Sequence, residues 1–435
     1  MPETNIPLVP RKYLLPFILV TSLFALWGFA NAVTDPMVSA FKKVLELSNF
    51  EASLVQLSFY GGYFTMALPA AWLMRRYSYK TGVLVGLVLY GIGALLFYPA
   101  ARWENFAFFL GAIYILTFGL AFLETSANPY ILALGDPQTA TRRLNLAQAF
   151  NPVGLVLGLV VAQVFVLRNL RSDDIADFST LEASARATIR TEDLMVIRDP
   201  YVMLGLLVLG ILVLMWVSHM PELGGREGDR HFWKGAGGLL RKPRFAMGVL
   251  AQLLYVGAQI MCWTYIYHYA EYRGIPNDEA VNYAYMAFAL FLGGRFLCIY
   301  LLKWTEPGRL LGLFALMAMA LCTAAILLTN VVGLYCLVGV SFCMSLMFPT
   351  IYGIALKDLG EDAKLGSAFL VMAIVGGAIL PVAQGQILDL GGTGFAEVPL
   401  AGIPEVNYSF ILPWLCFAGI AWYGFSAARG RFRND

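Results

Sequence analysis

Two carboxylates lie inside long apolar segments of this 435-residue chain. Asp35 is followed directly by Pro36, and Glu124 lies shortly before Pro129. A charged side chain at the centre of a membrane-spanning helix costs about 2.5–3.5 kcal/mol, so it faces a partner or a hydrated path. A proline also frees helix carbonyls, which a bilayer tolerates only beside protein or water. We therefore predict that Asp35 and Glu124 line a hydrated path and act together as a proton-coupling pair.

Amide side chains are the second set that is suited to binding. Gln148 and Asn151 stand at i and i+3 and so share a helix face, while Gln252 and Gln259 stand at i and i+7 beside aromatic residues. Amides meet hydroxyl groups as donors and as acceptors, and aromatic rings cover the apolar face of a sugar. Hydrogen bonding between helices is the alternative use of such residues. The pattern favours a polyol ligand, and the residues predicted to contact it are Asn31, Asp35, Asn128, Gln148, Asn151 and Gln259.

The composition excludes several other classes of protein. Hydrophobic residues make up 59% of the chain and charged residues 13%, whereas soluble proteins carry about 25% charged residues. A net charge of +2 offers no basic surface for nucleic acid. The six cysteines and three histidines form no metal-ligand, disulfide or nucleophile–base pattern, so we expect no metal, no cofactor and no enzymatic activity. The chain is predicted to be an all-α membrane protein whose partners are the lipid bilayer and a small molecule.

Twelve segments are apolar enough and long enough to cross a bilayer, which takes about 20 residues. They lie near 13–41, 52–74, 80–101, 105–135, 142–168, 200–220, 244–271, 277–304, 308–329, 331–357, 364–390 and 405–428. With a cytoplasmic N-terminus, Lys and Arg concentrate in the cytoplasmic loops, and an even number of spans returns the C-terminus to that side. We expect a multi-pass protein of the inner (plasma) membrane with both termini in the cytoplasm. The segment 168–200 is compatible with an amphipathic helix or with a solvated loop.

A polar segment divides the chain, with six spans on each side of it. The three predicted parts are an N-terminal half at 1–220, a cytoplasmic linker at 221–243 and a C-terminal half at 244–435. The halves match weakly at an offset of 222 residues, which pairs Arg142 with Lys364 and Gly154 with Gly376. Such six-helix repeats are typical of transporters that bind their substrate between the repeats. The predicted fold is therefore twelve transmembrane helices in two pseudo-symmetric halves.

Three strings, at 123–129, 143–151 and 255–265, carry a resemblance to a known family, with weaker matches at 78–82 and 349–351. They resemble the major facilitator superfamily and, within it, the fucose–galactose–glucose:proton symporter family. The similarity covers nearly the whole chain. It implies the major facilitator fold and a secondary active transporter that imports a monosaccharide, L-fucose or a related hexose, by proton symport with alternating access.

The resemblance also implies roles for individual residues. Asp35 takes part in sugar recognition and protonation, and Glu124 carries the coupling proton. Gln148 and Asn151 belong to the polar wall of the cavity, opposite a more apolar, aromatic wall. We expect the protein to work as a monomer.

The chain departs from the family pattern at three places that bear on function. Ala32 and Thr34 stand before the acid of the first span, where the family pattern is richer in asparagine. Arg75 stands where the superfamily loop motif has an aspartate, and Phe348 stands where the family has a tyrosine. Both coupling acids are present despite these departures. The identity of the transported sugar stays open, and the candidates are fucose, galactose, glucose, fructose and an amino sugar. Sodium coupling is an alternative, because carboxylates with Asn, Thr and Ser oxygens also bind Na⁺. A proton-coupled drug exporter, with a large apolar cavity, is a further alternative.

Overall fold

The computed structural model describes the backbone of residues 7–47, 49–174, 182–221, 232–388, 400 and 402–430. Within these ranges, the side chains of 34–40, 42–43, 49–50, 52–53, 167, 173–174, 232–235, 277–278 and 361 lie outside the description. The described residues form helices joined by turns, together with one isolated antiparallel bridge between Leu400 and Ile403. The prediction of an all-helical protein is confirmed.

The α-helices of the described residues are α1 (Leu14–Val44), α2 (Asn49–Arg76), α3 (Tyr79–Leu95), α4 (Phe97–Arg102), α5 (Phe106–Ala133), α6 (Ala140–Gln148), α7 (Phe150–Val161), α8 (Ala183–Val217), α9 (Phe232–Leu240), α10 (Pro243–Tyr272), α11 (Asn277–Leu301), α12 (Pro307–Leu327), α13 (Val331–Met344), α14 (Met347–Leu356), α15 (Ala363–Met372), α16 (Gly376–Leu388), α17 (Glu405–Tyr408) and α18 (Ile411–Ala428). Among the described residues, 11 helical segments are long and apolar enough to cross a membrane. Helix α2 occupies the remaining predicted span near 52–74, and its 28 residues are also long enough to cross at about 1.5 Å per residue.

Local sequence signals explain where several helices begin. Ser78 accepts a hydrogen bond from Thr81 N at the start of α3, and Asn330 accepts one from Val332 N at the start of α13. Glu306 accepts from two backbone N–H groups at the start of α12, where Pro307 occupies the first turn. A side-chain acceptor at this position satisfies N–H groups that have no partner within the helix. These caps place the helix ends close to the predicted span boundaries.

Five predicted spans are interrupted helices. Three of the interruptions lie between α6 and α7, between α13 and α14, and at a 3₁₀ turn, Ala373–Val375, between α15 and α16. The other two lie between α3 and α4 and between α17 and α18. The first and the third fall within a few residues of each other when the 222-residue offset of the weak repeat is applied. Proline accounts for the first interruption, because Pro152 has no N–H to donate to the carbonyl of Gln148 one turn earlier.

Contacts between helices divide the chain into two compact units. We call the described residues of Met1–Pro10, Ile131–Ala149 and Arg230–Asp435 the C-terminal unit, and those of Arg11–Tyr130 and Phe150–Asp229 the N-terminal unit. This division puts α6 with the C-terminal helices, and Arg142 Nε on α6 donates to Ile299 O on α11 at 3.1 Å. The predicted halves and linker stay a prediction, and residues 222–231 of that linker lie outside the described residues.

In the N-terminal unit, α1 and α7 cross with their backbones in contact. A Cβ atom added at Gly28 would lie 1.9 Å from Asn151 O, and one added at Gly154 would lie 1.8 Å from Ala25 O. Only glycine leaves room for such an approach. The crossing brings Asn31 on α1 and Asn151 on α7 into one helix pair.

The segment predicted at 168–200 is in part helical. Helix α8 begins at Ala183, well before the predicted span at 200–220, and its first turns lie beside the α1–α2 turn. Arg190 donates to Val44 O at 3.3 Å and to Glu46 Oε2 at 2.8 Å. The fully buried Asp193 accepts from the backbone N–H groups of Arg171 and Ser172 at 2.9 and 3.0 Å. Of the two alternatives for this segment, the structure thus has a helix over its second half.

Arg143 organises the turn between α5 and α6 in the C-terminal unit. Its guanidinium donates to Ile131 O at 2.7 Å, to Leu132 O and to Thr139 Oγ1 at 2.9 Å. A further bond, of 3.3 Å, reaches Leu8 O near the N-terminus. The last carbonyls of a helix have no partner within it, so a buried arginine that binds several of them fixes the path of the chain.

Candidate functional site

The predicted site residues are shared between the two units. Asn31, Asp35, Glu124, Asn128 and Asn151 belong to the N-terminal unit. Gln148 and Gln259 belong to the C-terminal unit. The backbone of α1 is helical at Asp35, but the side chain of Asp35 lies outside the described residues. Its predicted role as a coupling and binding residue therefore stays a prediction.

Glu124 lies in the most deeply buried stretch of α5. Its side chain is 6% exposed, and every residue from Leu120 to Ile131 is buried, so this part of α5 has no face open to lipid. The Oε2 atom has no hydrogen-bond partner among the described residues, and no described basic side chain forms an ion pair with the carboxyl group. Acids placed in this way inside a membrane domain mark proton or ion pathways.

The polar residues after Glu124 bind back to their own helix. Asn128 Nδ2 donates to Glu124 O at 3.0 Å, and Ser126 Oγ donates to Phe122 O at 2.6 Å. Pro129 has no N–H group to donate to the carbonyl of Thr125 four residues earlier, and the two side-chain bonds go to neighbouring carbonyls of the same helix. The Asn128 amide thus donates to its own helix, and its predicted contact with a ligand stays a prediction.

Asn31 and Asn151 are half-buried residues of the α1–α7 pair. Asn151 Nδ2 donates to Phe24 O at 3.4 Å, a long bond that a stronger acceptor would displace. Trp27, one turn before Asn31, is almost completely buried and stacks on Phe24 with ring centroids 5.3 Å apart. The two amides of this helix pair are groups that suit a polyol, while the indole N–H of Trp27 is already donated to the Tyr63 hydroxyl at 2.8 Å.

Gln148 ends α6, and its backbone carbonyl receives an unusual donor. Because Pro152 supplies no N–H to that carbonyl, Arg295 Nη1 on α11 bonds to it instead, at 3.4 Å. The i, i+3 spacing of Gln148 and Asn151 crosses the interruption at Ala149, so their predicted shared face is not that of one continuous helix. The Gln148 side chain is 5% exposed.

Arg295 is the functional candidate that was absent from the predicted binding set. It is 2% exposed, its guanidinium lies 5.0 Å from the centre of the Phe291 ring, and its Nε has no partner among the described residues. A buried arginine with a donor to spare can bind a hydroxyl or carbonyl oxygen. The signal in the sequence was a single basic residue within an apolar span, directly after Gly293 and Gly294.

Several aromatic side chains pair with one another in the C-terminal unit. Trp263 meets the edges of Phe288 and Phe291 at centroid distances of 5.0 and 5.2 Å, and its Nε1 donates to Ser341 Oγ at 3.1 Å. Phe348 stands at the position where the family has a tyrosine, and the centre of its ring lies 6.1 Å from the centre of the Tyr255 ring. The more aromatic wall that the resemblance implies for this half stays a prediction.

A separate cavity of about 510 Å³ lies in the C-terminal unit. Arg244, Glu306, Lys357 and Asp358 contribute its charged lining, and Arg244 donates to Ile354 O at 2.9 Å and to Asp358 Oδ2 at 3.2 Å. Residues of the predicted binding set do not line it, so the cavity lends no support to the predicted sugar site. Within the described residues, no three His, Cys, Asp or Glu side chains are grouped as metal ligands.

The chain is similar to known proteins over almost its full length. The model of the Major Facilitator Superfamily matches residues 18–383. The L-fucose-proton symporter of Haemophilus influenzae is 52% identical over 429 residues, which cover 97% of this chain and 99% of that protein. The glucose/galactose transporter of Brucella abortus is 31% identical over 408 residues, covering 93% and 92%. A crystal structure of the transporter FucP in the outward conformation matches with a TM-score of 0.86 and 34% identity, over 96% of this chain and 99% of that chain. The resemblance seen in the short strings is confirmed, and the chain belongs to the Major Facilitator Superfamily.

Proposed function

We propose that this protein imports a monosaccharide by proton symport, with L-fucose as the first candidate. The observation that carries the proposal is the buried Glu124 carboxyl, whose Oε2 has no hydrogen-bond partner among the described residues, in a chain that matches an L-fucose-proton symporter over 97% of its length. The relatives are named symporters and transporters, so the protein is a transporter and not an enzyme.

The transport cycle uses the charge of the coupling acids. A proton from outside neutralises a carboxyl, which removes the charge that would oppose closing the cavity around it. Sugar then binds, the two repeats alternate the access of the site, and the proton leaves toward the cytoplasm. Each proton brings about 2.3 kcal/mol per 100 mV of membrane potential. The proton is the coupling ion, and the cycle needs no cofactor.

In this proposal the sugar is bound by the amides, the carboxylate and the aromatic side chains of the predicted set. Asn31, Asp35, Asn128 and Asn151 supply donors and acceptors from the N-terminal unit, as amides and carboxylates do for neighbouring hydroxyls. The C-terminal unit adds further amides and an aromatic surface, through Gln148, Gln259 and Trp263. Phe348 in place of the family tyrosine removes one hydroxyl, so we expect this position to affect which hexose is preferred.

The distribution of Lys and Arg between the loops supports a membrane location and an orientation of the chain. We infer an inner-membrane protein with both termini in the cytoplasm, built from halves at 1–220 and 244–435 and working as a monomer. Lys80 at the start of α3 supports this orientation, because basic residues collect at the cytoplasmic ends of spans. Its Nζ donates to Trp216 O and Ser218 O at 2.8 and 2.7 Å, at the end of α8.

The experiment that tests the proposal is external pH recorded from sodium-free proteoliposomes while single sugars are added. The panel is L-fucose, galactose, glucose, fructose and an amino sugar. Alkalinisation outside with one sugar is the expected result, and it identifies the substrate as well as the coupling ion. Gln substituted for Glu124 is the matched control, and it should abolish the pH change.

Two other results would overturn the proposal. A sugar response that appears only after sodium is added would assign the coupling ion to Na⁺. No response to any sugar, together with competition by lipophilic cations for the site, would point to a drug exporter. Tryptophan fluorescence with the same ligands provides the binding measurement.

A further inference from the structure

Residues 186–193 of α8, which we call the α8 brace, are bonded beside the ends of three other helices of the N-terminal unit. Arg190 Nε donates to the last carbonyl of α1 at 3.3 Å. Thr191 Oγ1 donates to the carboxylate of Glu104, which lies two residues before α5. Asp193 accepts from two backbone N–H groups of the chain beyond α7, at 2.9 and 3.0 Å. One short segment thus contacts α1, the start of α5 and the chain that leaves α7.

The predicted site residues of the N-terminal unit lie on the same three helices. Helix α1 carries Asn31 and Asp35, α5 carries Glu124 and Asn128, and α7 carries Asn151. The α8 brace is bonded where α1 finishes, where α5 begins and just beyond the end of α7. The proposed orientation puts all three places at the outer face of the membrane. The brace therefore bears on the spacing of every helix that carries this part of the site.

Two partners of the brace have a backbone conformation that is unfavourable for a residue with a side chain. Glu46, in the turn between α1 and α2, has a φ of +53°, and Glu104 has a φ of +50°. Glu46 accepts from Arg186 at 3.2 Å and from Arg190 at 2.8 Å. Residues with such dihedral angles persist where the surrounding structure holds them, and they are found at functional places. Here the bonds to α8 hold both turns.

The contacts of the brace differ in how strongly water competes with them. Asp193 is fully buried, and a carboxylate that accepts from two backbone N–H groups makes strong, charge-assisted bonds. The ion pairs of Glu46 with Arg186 and Arg190 are partly exposed, and such pairs stabilise a protein little. Arg190 also places its charge at the last carbonyl of α1, where a cation is favourable. We therefore expect Asp193 to contribute most, and Arg190 to act mainly through the α1 carbonyl.

We propose that the α8 brace positions the sugar-binding helices, with Arg190, Thr191 and Asp193 as positioning residues. The brace sets the spacing of α1, α5 and α7 before a sugar arrives, so that sugar binding does not have to order them. When the brace is weakened, a smaller fraction of the molecules has the competent spacing, and the apparent dissociation constant rises by the inverse of that fraction. Saturating sugar restores the spacing, so the maximal rate changes little. This inference rests on the proposed function, because it concerns the sugar site of that function.

Asp193→Asn tests the proposal, because it keeps the size of the side chain and removes its charge and one acceptor oxygen. Asp199→Asn is the matched control on the same helix, since that exposed carboxylate pairs with the adjacent Arg198. Uptake into proteoliposomes at a series of sugar concentrations gives KM and Vmax, and hydrogen exchange reports the N–H groups of Arg171 and Ser172. The expected result for Asp193→Asn is faster exchange, a KM about tenfold higher and a Vmax within about twofold. The control should change none of these quantities.

Thr191→Val is the gentler variant and keeps the proposal testable if Asp193→Asn does not fold. Thr188→Val is its matched control, because both hydroxyls donate to the carbonyl four residues earlier in α8, while Thr191 also reaches Glu104. Loss of this one bond should raise KM about threefold and leave Vmax within about twofold. Thr188→Val should leave KM unchanged.

Substitutions at Arg190 separate the bond to the α1 carbonyl from the ion pair. Arg190→Gln should raise KM, and Arg190→Lys, which keeps a cationic donor, should give a KM between that of Arg190→Gln and that of the unsubstituted protein. Arg190→Glu combined with Glu46→Arg keeps opposite charges but places an acceptor beside the carbonyl, so it should not restore KM. Full recovery in this exchanged pair would overturn the role assigned to Arg190.

An unchanged KM in both Asp193→Asn and Thr191→Val would overturn the proposal, because the brace would then not affect the site. A purely structural role has a different signature: less active protein and so a lower Vmax, with KM unchanged. Equal effects of Thr191→Val and Thr188→Val would likewise exclude positioning through Glu104. If the proposed function itself fails, the unsubstituted protein shows no sugar-dependent proton movement, while hydrogen exchange at Arg171 and Ser172 still responds to Asp193→Asn.

Discussion

Asn145 and Thr350 are hydrogen-bonded, Nδ2 to Oγ1 at 3.3 Å, although 205 residues separate them in the chain. Both residues are fully buried in the C-terminal unit, on α6 and α14. Asn145 Nδ2 also donates to Thr141 O at 2.9 Å, while its Oδ1 has no partner among the described residues. The bond joins the short helix before the interruption at Ala149 to a helix far along the chain.

Thr350→Val should lower the free energy of unfolding by about 1 kcal/mol, since it removes one buried hydrogen bond while keeping the shape of the side chain. A double-mutant cycle with Asn145→Ala should give a coupling energy of about 0.5 kcal/mol or more. Chemical unfolding in detergent micelles measures both values. Thr188→Val is the control, because that hydroxyl is exposed and bonds only within its own helix. If the effects of the two substitutions on the free energy of unfolding are additive, the Asn145–Thr350 bond does not stabilise the protein.

Glu124→Gln should abolish sugar accumulation driven by a proton gradient and leave sugar exchange at equal concentrations intact. Loss of coupling to a 100 mV potential removes about 2.3 kcal/mol, which lowers the accumulation ratio about fiftyfold. Uptake into energised vesicles measures the first quantity, and counterflow measures the second. Glu279→Gln, at an exposed acid, should change neither. Accumulation that persists in the Glu124 variant would remove Glu124 from the coupling step.

Gly154→Ala should destabilise the N-terminal unit by about 1–3 kcal/mol, because the added methyl group would collide with Ala25 O and force the helices apart. Gly111→Ala is the matched control, with no atom within 4 Å of the new methyl group. That variant should be neutral or up to about 1 kcal/mol more stable, as alanine favours helix over glycine. Thermal unfolding monitored by fluorescence compares the two. Equal stability of both variants would contradict the close crossing of α1 and α7.

Arg143→Gln should destabilise the protein by about 3 kcal/mol, because several buried carbonyls lose a charged donor. The neighbouring Arg142→Gln removes one bond, to Ile299 O, from a half-buried side chain and should cost about 1 kcal/mol. Unfolding midpoints in the same detergent rank the two variants. The opposite ranking would show that Arg143 is not the residue that fixes the α5–α6 turn.

The sequence predicted the helices well because a bilayer imposes length and apolarity on every span. It also placed Glu124 inside a membrane-spanning segment, since an acid in an apolar run is visible without a structure, while its role as a coupling acid stays a prediction. The sequence analysis did not predict the interruption of the helix at Ala149, although its local cause, Pro152, is visible in the sequence. The grouping of 131–149 with the C-terminal helices was also missed, because it depends on bonds such as Arg142 to Ile299 that join distant parts of the chain. Arg143 illustrates the same limit, as its partners are backbone carbonyls that carry no sequence signal.

The contact between α1 and α7 at Gly28 and Gly154 has a mechanical consequence. The two backbones interlock here without intervening side chains, and close-packed protein interiors have low compressibility and transmit strain. Any displacement of α1 along its axis therefore carries α7 with it as a single lever. Asn31 on α1 and Asn151 on α7 should therefore keep a fixed spacing when the helix pair moves.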